Sequence, residues 1–138
     1  MSIKYKLALD VMSGERDPLA SLDAAIEALK NDDDLQLSLV GDENIILNHI
    51  PNELLSRIDI VHTVEVVSMD ESPVDALRKK KNSSMRLAVN LVGEGKADGC
   101  VSSGNTGALM ANAKYVLKTL PSIDRPAFMK AIPTKGDY

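Results

Sequence analysis

Apolar and polar positions along the chain follow two periods in turn, and each switch of period marks a new element. Ile3, Tyr5, Leu7, Leu9 and Val11 alternate with Lys4, Lys6, Ala8 and Asp10, which predicts a strand running to about Val11. A loop over 12–16 follows, and Asp17-Pro18 reads as the N-cap and first residue of a helix. Leu22, Ala25, Ile26 and Leu29 recur at i, i+3, i+4, i+7 and give that helix one apolar stripe, which Asn31-Asp32-Asp33-Asp34 ends. A second strand is predicted over 35–41, a short helix over 43–48 and a third strand over 58–64.

A polar loop surrounds Met69-Asp70-Glu71, and Ser72-Pro73-Val74-Asp75 resembles a capping box with Asp in place of Glu. Lys79-Lys80-Lys81-Asn82 interrupts the pattern; Met85, Ala88, Val89 and Val92 resume it in a helix ending at Gly93 or Gly95. A strand over 98–102 turns at Ser103-Gly104 into a helix whose expected stripe is Leu109, Ala113, Val116, Leu117 and Leu120. Pro121 closes that helix, and residues 127–132 read as a last strand. Strands alternating with helices predict one α/β domain over 1–138, a three-layer α/β/α sandwich with a mainly parallel sheet. A last strand without its return helix is expected to leave one face or edge of the sheet poorly covered, as in a truncated domain or one completed by a partner chain.

Composition narrows the function. The chain has 138 residues, 44% of them hydrophobic, enough for one core. Lys and Arg number 16 against 20 Asp and Glu, a net charge of −4, which argues against nucleic acid as a partner. Aromatics, at 3%, are too few to stack bases. The longest apolar run, 108–111, falls far short of the roughly 20 residues of a membrane span. Asp10 interrupts any signal-peptide core. One cysteine and two histidines exclude a thiolate or histidine metal centre, so no metal is expected, and fit a cytoplasmic protein.

In open α/β sheets ligands gather at the carboxyl ends of strands. Ser102-Ser103-Gly104-Asn105-Thr106-Gly107 falls there, where backbone N–H groups and the positive end of a helix dipole converge among hydroxyls and an amide. It reads either as an anion cradle or as glycines placed for packing. Asp10, ending the first strand, reads as a turn-stabilising carboxylate or a proton-handling one; Asp70 has the same position after the third strand. Lys79 to Arg86 is the one concentrated positive stretch, a solvated face or the countercharge for an anion. His62 reads as a structural sheet residue, Cys100 as an inert core thiol, and Asp32 to Asp34 as solvated turn carboxylates.

Four segments in this order carry a resemblance: Leu9-Asp10-Val11-Met12-Ser13-Gly14, Asn82-Ser83-Ser84-Met85-Arg86, Cys100 through Met110, and Ile123-Asp124-Arg125-Pro126-Ala127. They resemble the amino-terminal part of the bacterial phosphate acyltransferase (PlsX) family of phospholipid synthesis. The resemblance implies a fold related to phosphate acetyltransferases and isocitrate dehydrogenases. It implies transfer of a fatty acyl group from acyl-acyl-carrier-protein to orthophosphate, without an organic cofactor. It also implies a homodimer, cytoplasmic and peripherally associated with the membrane in full-length members, which are over twice this length.

On that reading Ser102, Ser103, Gly104, Asn105, Thr106 and Gly107 hold phosphate. Lys81, Ser83, Ser84 and Arg86 balance its charge, and Asp10 and Asn105 take the catalytic positions. The family's first loop usually reads Asp-Val-Met-Gly-Gly-Asp; here Ser13 and Glu15 stand in it. A short-chain phosphate acetyl- or butyryltransferase using coenzyme A thioesters shares the phosphate logic, and a non-catalytic phosphate- or partner-binding module fits the length. A nicotinamide-dependent enzyme fits less well, because no Gly-x-Gly-x-x-Gly follows the first strand.

Overall fold

The computed structural model describes residues 3–134. Four strands, β1 (Tyr5–Asp10), β2 (Leu35–Gly41), β3 (Ile58–His62) and β4 (Gly99–Val101), pair in the order β3-β2-β1-β4, all parallel. The chain therefore moves outward from β1 to β3, then crosses back to place β4 on the other flank of β1. That reversal makes the carboxyl ends of β1 and β4 the switch point of the sheet, where helices diverge and leave a crevice.

Side chains of the strands alternate between the two faces, and each face recruits its own helices. Leu35, Leu37, Leu39 and Val11 pack against Leu22, Ala25 and Leu29 of α1 (Pro18–Asn31), Ile46 of α2 (Glu43–His49) and Leu54 of a 3₁₀ helix (Asn52–Arg57). Ala8 and Val40 face the other way, against Ala88 of α4 (Ser84–Gly93) and Ala97. A third cluster, Val67, Ala76, Met85 and Ala108, joins α4 to α3 (Pro73–Lys79) and α5 (Thr106–Leu117). The three-layer α/β sandwich is thus present, with α1 and α2 on one face and α3, α4 and α5 on the other.

Local capping signals locate the helix starts. Asp17 accepts from Leu19 N at 2.9 Å with Pro18 as first residue of α1. The Ser72 hydroxyl accepts from Asp75 N at 3.1 Å and donates to the Asp75 carboxylate at 2.8 Å, the reciprocal box expected for α3.

Three expectations are corrected. β3 stops at His62 rather than at 64. Thr63 donates its amide to Gly41 O, then turns its hydroxyl to Asn82 O at 2.6 Å, which draws the chain away from the sheet and toward α4. In α5 the buried positions are Ala108 and Asn112, not the predicted stripe of Leu109, Ala113, Val116, Leu117 and Leu120; Leu117, its last residue, and Leu120 beyond it are exposed. Asn112 is tolerated inside because its Nδ2 donates to Ala108 O and its Oδ1 accepts from Arg86. Residues 127–132 form no strand: an apolar run becomes a strand only against a sheet edge, and here Met129 is 95% exposed. Among the described residues the outer edge of β4 is accordingly unpaired, and Leu7, Leu9 and Val101 border an apolar trough of about 210 Å³ against α1.

Candidate anion site at the sheet switch point

The register of β1 against β4 places Leu9 beside Val101, so Asp10 and Ser102 emerge next to one another at the crevice. Asp10 is fully buried. Its Oδ2 accepts from Ser102 Oγ at 2.8 Å, and Ser102 Oγ accepts from Gly104 N at 3.2 Å. Its other oxygen accepts from Ser13 N at 3.3 Å. One carboxylate thereby fixes both loops that rim the switch point.

The two loops interlock. A Cβ on Gly104 would lie 2.7 Å from Ser13 Cβ and 2.9 Å from Met85 Cε; one on Gly14 would lie 2.7 Å from Ser103 Oγ. Ser103 Oγ donates across the seam to Ser13 O at 3.1 Å. Gly14 has φ +114°, a conformation that favours glycine, whereas Ser13 does not need it. The serine at position 13 is therefore compatible with the backbone, although its buried hydroxyl has no hydrogen-bond partner among the described residues.

Asn105 caps α5, its Oδ1 accepting from Ala108 N at 3.1 Å. Its Nδ2 donates to Ser68 O and Met69 O, both at 3.2 Å, and to Glu71 O at 2.8 Å. The side chain is engaged on both ends, tying the polar loop after β3 to the start of α5. Gly107 lets Pro73 approach: a Cβ there would stand 2.9 Å from the proline ring. Thr106 is exposed, and it and Gly107 supply the first two amides of α5, which have no intrahelical partner. Asp70, in the tethered loop, has its pKa lowered by the Ser68 hydroxyl that donates to it at 2.8 Å.

Beside this turn opens a cleft of about 440 Å³. Leu9, Ala20, Met69 and Val101 form its apolar wall, and Glu15, Arg16, Ser21 and Ser103 its polar border. Arg16 is exposed and has no ion pair or hydrogen bond among the described residues. The one sequence signal that points to it is its place in the loop leaving β1, one residue before the N-cap of α1.

The structure does not bring all the expected residues to that cleft. Ser83 is buried and caps α4, accepting from Arg86 N at 3.2 Å, and the buried Ser84 hydroxyl has no partner among the described residues. Arg86 turns along α4 toward Asn90 and Asn112, and it borders, with Lys81, a separate cleft between α3 and α5. His62 Nδ1 accepts from Glu43 N at 3.1 Å, a structural contact at the start of α2. For Cys100, burial and then the Asp10 carboxylate push the thiol pKa up, which disfavours the thiolate. Among the described residues no group of three or more His, Cys, Asp or Glu is arranged to hold a metal, and no helix is long and apolar enough to cross a membrane.

Comparison with known proteins assigns the chain to a family. It is 53% identical over 131 residues to a protein named "Phosphate acyltransferase" from Shewanella sp. (strain ANA-3), covering 93% of this chain and 38% of that protein. It is 53% identical over 135 residues to the protein of the same name from Coxiella burnetii (strain CbuG_Q212), covering 95% and 39%. The Shewanella putrefaciens protein, also so named, is 54% identical over 130 residues. The chain thus spans under two-fifths of the length of these curated relatives. The sequence model of a family described as "Fatty acid synthesis protein" matches residues 5–138, and the chain belongs to that family.

Proposed function

We propose that the chain carries the orthophosphate-binding part of an enzyme that moves a fatty acyl group from acyl-acyl-carrier-protein to phosphate. The observation that carries this reading is the Ser102–Gly107 turn, held open by Asp10 at the start of α5 beside a cleft with an unpaired arginine. The name that the relatives share, phosphate acyltransferase, supports the reaction class.

In this reading phosphate sits over the first turn of α5. The Thr106 hydroxyl and the Thr106 and Gly107 amides donate to it, the Ser103 side chain borders it, and the helix dipole favours its charge. Arg16 supplies the countercharge in place of Lys81 and Arg86, which open onto another cleft. Asp10 and Asn105 act as positioning residues: the first orients Ser102 and through it Gly104, the second fixes the helix start.

Phosphate at neutral pH is already an anionic nucleophile, and a thiolate is a good leaving group. One phosphate oxygen bonds to the thioester carbonyl carbon, the carbon–sulfur bond then breaks, and the thiolate leaves and takes a proton. Alignment and stabilisation of the carbonyl oxyanion carry most of such a reaction. The apolar wall of Leu9, Ala20 and Val101 suits an alkyl substituent beside the anion. The complete protein in this reading is a cytoplasmic homodimer that meets the membrane peripherally.

The test is acyl phosphate formation by the 138-residue chain, and by the chain grafted over the matching segment of the Shewanella relative. Long-chain acyl-acyl-carrier-protein and acetyl-coenzyme A serve as alternative donors. Turnover of the carrier-protein thioester by the graft, with an apparent phosphate KM raised by Thr106→Val or Arg16→Gln, supports the proposal. Preference for acetyl-coenzyme A moves the reading to a short-chain phosphate acyltransferase. Phosphate binding without turnover by any form reduces it to a binding module, and no phosphate binding at all overturns it.

A further inference from the structure

α1 packs chiefly over β2, which leaves β1 and β4 without a full roof on that face of the sheet. Leu7 and Leu9 stay half-buried although β1 is paired on both sides, and Val101 is 51% exposed. These three side chains floor the trough of about 210 Å³, and every residue that lines it is aliphatic. The trough is continuous with the cleft at the switch point. Leu9, Ala24 and Val101 border both, so one apolar path runs from the Ser103 turn down the sheet beneath α1.

Two local choices of residue keep that path open. On α1, Ala20, Ala24 and Ala28 recur every fourth residue and form one row along it. On β4, Gly99 lies opposite Leu7 and brings no side chain; a Cβ there would stand 3.4 Å from Leu7 Cδ2, in ordinary contact. The row of alanines is about 12 Å long, from a helical rise of about 1.5 Å per residue. An extended chain advances about 1.2 Å per bond, the span of one residue divided over three bonds, so the row runs alongside about ten carbons.

We propose that the trough holds the alkyl chain of the acyl group and that Ala28, at its far end, sets the chain length preferred. The inference rests on the phosphate reading. Acyl transfer to phosphate brings the acyl carbonyl carbon within one bond of a phosphate oxygen, so the alkyl chain has to start at the anion site, and the path opens from there. Water in a groove of aliphatic carbon finds no hydrogen-bond partner, and each methylene that replaces it gains the transfer energy of leaving water. Alanine in place of leucine at position 28 leaves the far end free for the last carbons of the chain. The continuity of trough and cleft, rather than the alanine row alone, decides the occupant.

The probes are n-alkyl phosphates of rising length, kept below their micellar concentrations, with orthophosphate and matched n-alkanols beside them. They are titrated into the methyl-labelled 138-residue chain and into its graft in the Shewanella relative. Affinity should rise about fourfold per methylene to a plateau near ten carbons, with shifts in the Leu7, Leu9, Leu37 and Ala28 methyls. Ala28→Leu should move the plateau about three carbons shorter, the number that leucine adds, and leave the shortest probes unaffected. Gly99→Ala should move it less in the same direction, from the other wall. Ala20→Leu, at the mouth, should weaken every length by one common factor. A side chain with a merely structural role would lower affinity without moving the plateau. Three results overturn the proposal: affinity independent of length while orthophosphate still binds; a plateau that neither Ala28→Leu nor Gly99→Ala moves; or a length response that the graft lacks, which gives the trough to a strand of the longer protein. Alkanols that follow the same length series with the same plateau, while orthophosphate fails to bind, keep the trough as the chain site and sink the phosphate reading instead.

Discussion

The interlock of the two loops at the switch point makes a quantitative prediction. Gly104→Ala adds a methyl 2.7 Å from Ser13 Cβ and 2.9 Å from Met85 Cε, against a relaxed carbon–carbon separation of about 3.5–4.0 Å. The methionine tip can rotate away, but Ser13 Cβ is fixed by its own backbone, whose amide donates to Asp10 and whose carbonyl accepts from Ser103 across the seam. Overpacking of this kind costs about 1–3 kcal/mol. Ser13→Gly removes the opposing atom. Alone it should be close to neutral, since glycine's entropy cost of about 0.5–1 kcal/mol is offset by loss of an unpartnered buried hydroxyl. The double variant should then recover about 1–2 kcal/mol relative to the sum of the singles, well beyond the ~0.5 kcal/mol scatter of independent sites. Ser13→Ala is the control: it deletes the hydroxyl, keeps Cβ, and should rescue nothing. Urea unfolding of the parent, the three single variants and the two double variants at constant m-value provides the measurement. Additive singles, or rescue by Ser13→Ala equal to that by Ser13→Gly, would refute the steric account.

Other sites make sharper or simpler claims. Arg57 donates to the carbonyls of Leu29, Asp32 and Leu35, closing the end of α1 onto the start of β2; Arg57→Met should destabilise by about 2–3 kcal/mol in the same assay, and Arg57→Lys should recover less than half. Asn105→Asp keeps the cap oxygen but turns a carboxylate toward three carbonyl oxygens, so it should cost more than Asn105→Ala, itself about 0.5–2 kcal/mol for the lost cap. The Asp75 pKa is lowered by Lys79 first and Ser72 second. Its contribution is therefore complete above the unfolded-state value and lost as pH falls through the lower folded value. A carboxyl-carbon titration should place its midpoint below the ordinary Asp value of 3.8, and Ser72→Ala with Lys79→Gln should move it up toward that value, with Arg78 still acting to lower it.

What was legible in the sequence was what local chemistry decides. The bounds of β2 and the caps at Asp17 and Ser72 follow from alternation, proline and a side chain reaching its own backbone. The parallel α/β sandwich followed from the order of those elements. What escaped depends on distant neighbours. Residues 127–132 have strand composition, yet composition does not supply an edge to pair with. Asn112 is polar and buried because Arg86, 26 residues away, answers its oxygen. Within the candidate site, the nearness of Asp10 to the serine-glycine turn is legible because both end strands, and the register of β1 and β4 brings them together. Lys81 and Arg86 were assigned by proximity in sequence, and no pattern along one helix could disclose that Arg86 leans toward α5. Arg16, a lone arginine before a cap, has no periodic signature that would mark its place on the cleft.

The triple anchorage of Asn105 has a consequence for traffic through the cleft. The wall bearing Met69 is bolted to the first turn of α5, so it cannot swing aside as a separate lid; it travels only with the helix. The opposite wall, at Glu15 and Arg16, has no such fastening. A ligand of this cleft is therefore expected to pass on the arginine side, over Glu15 and Arg16, rather than past the longer segment that follows β3.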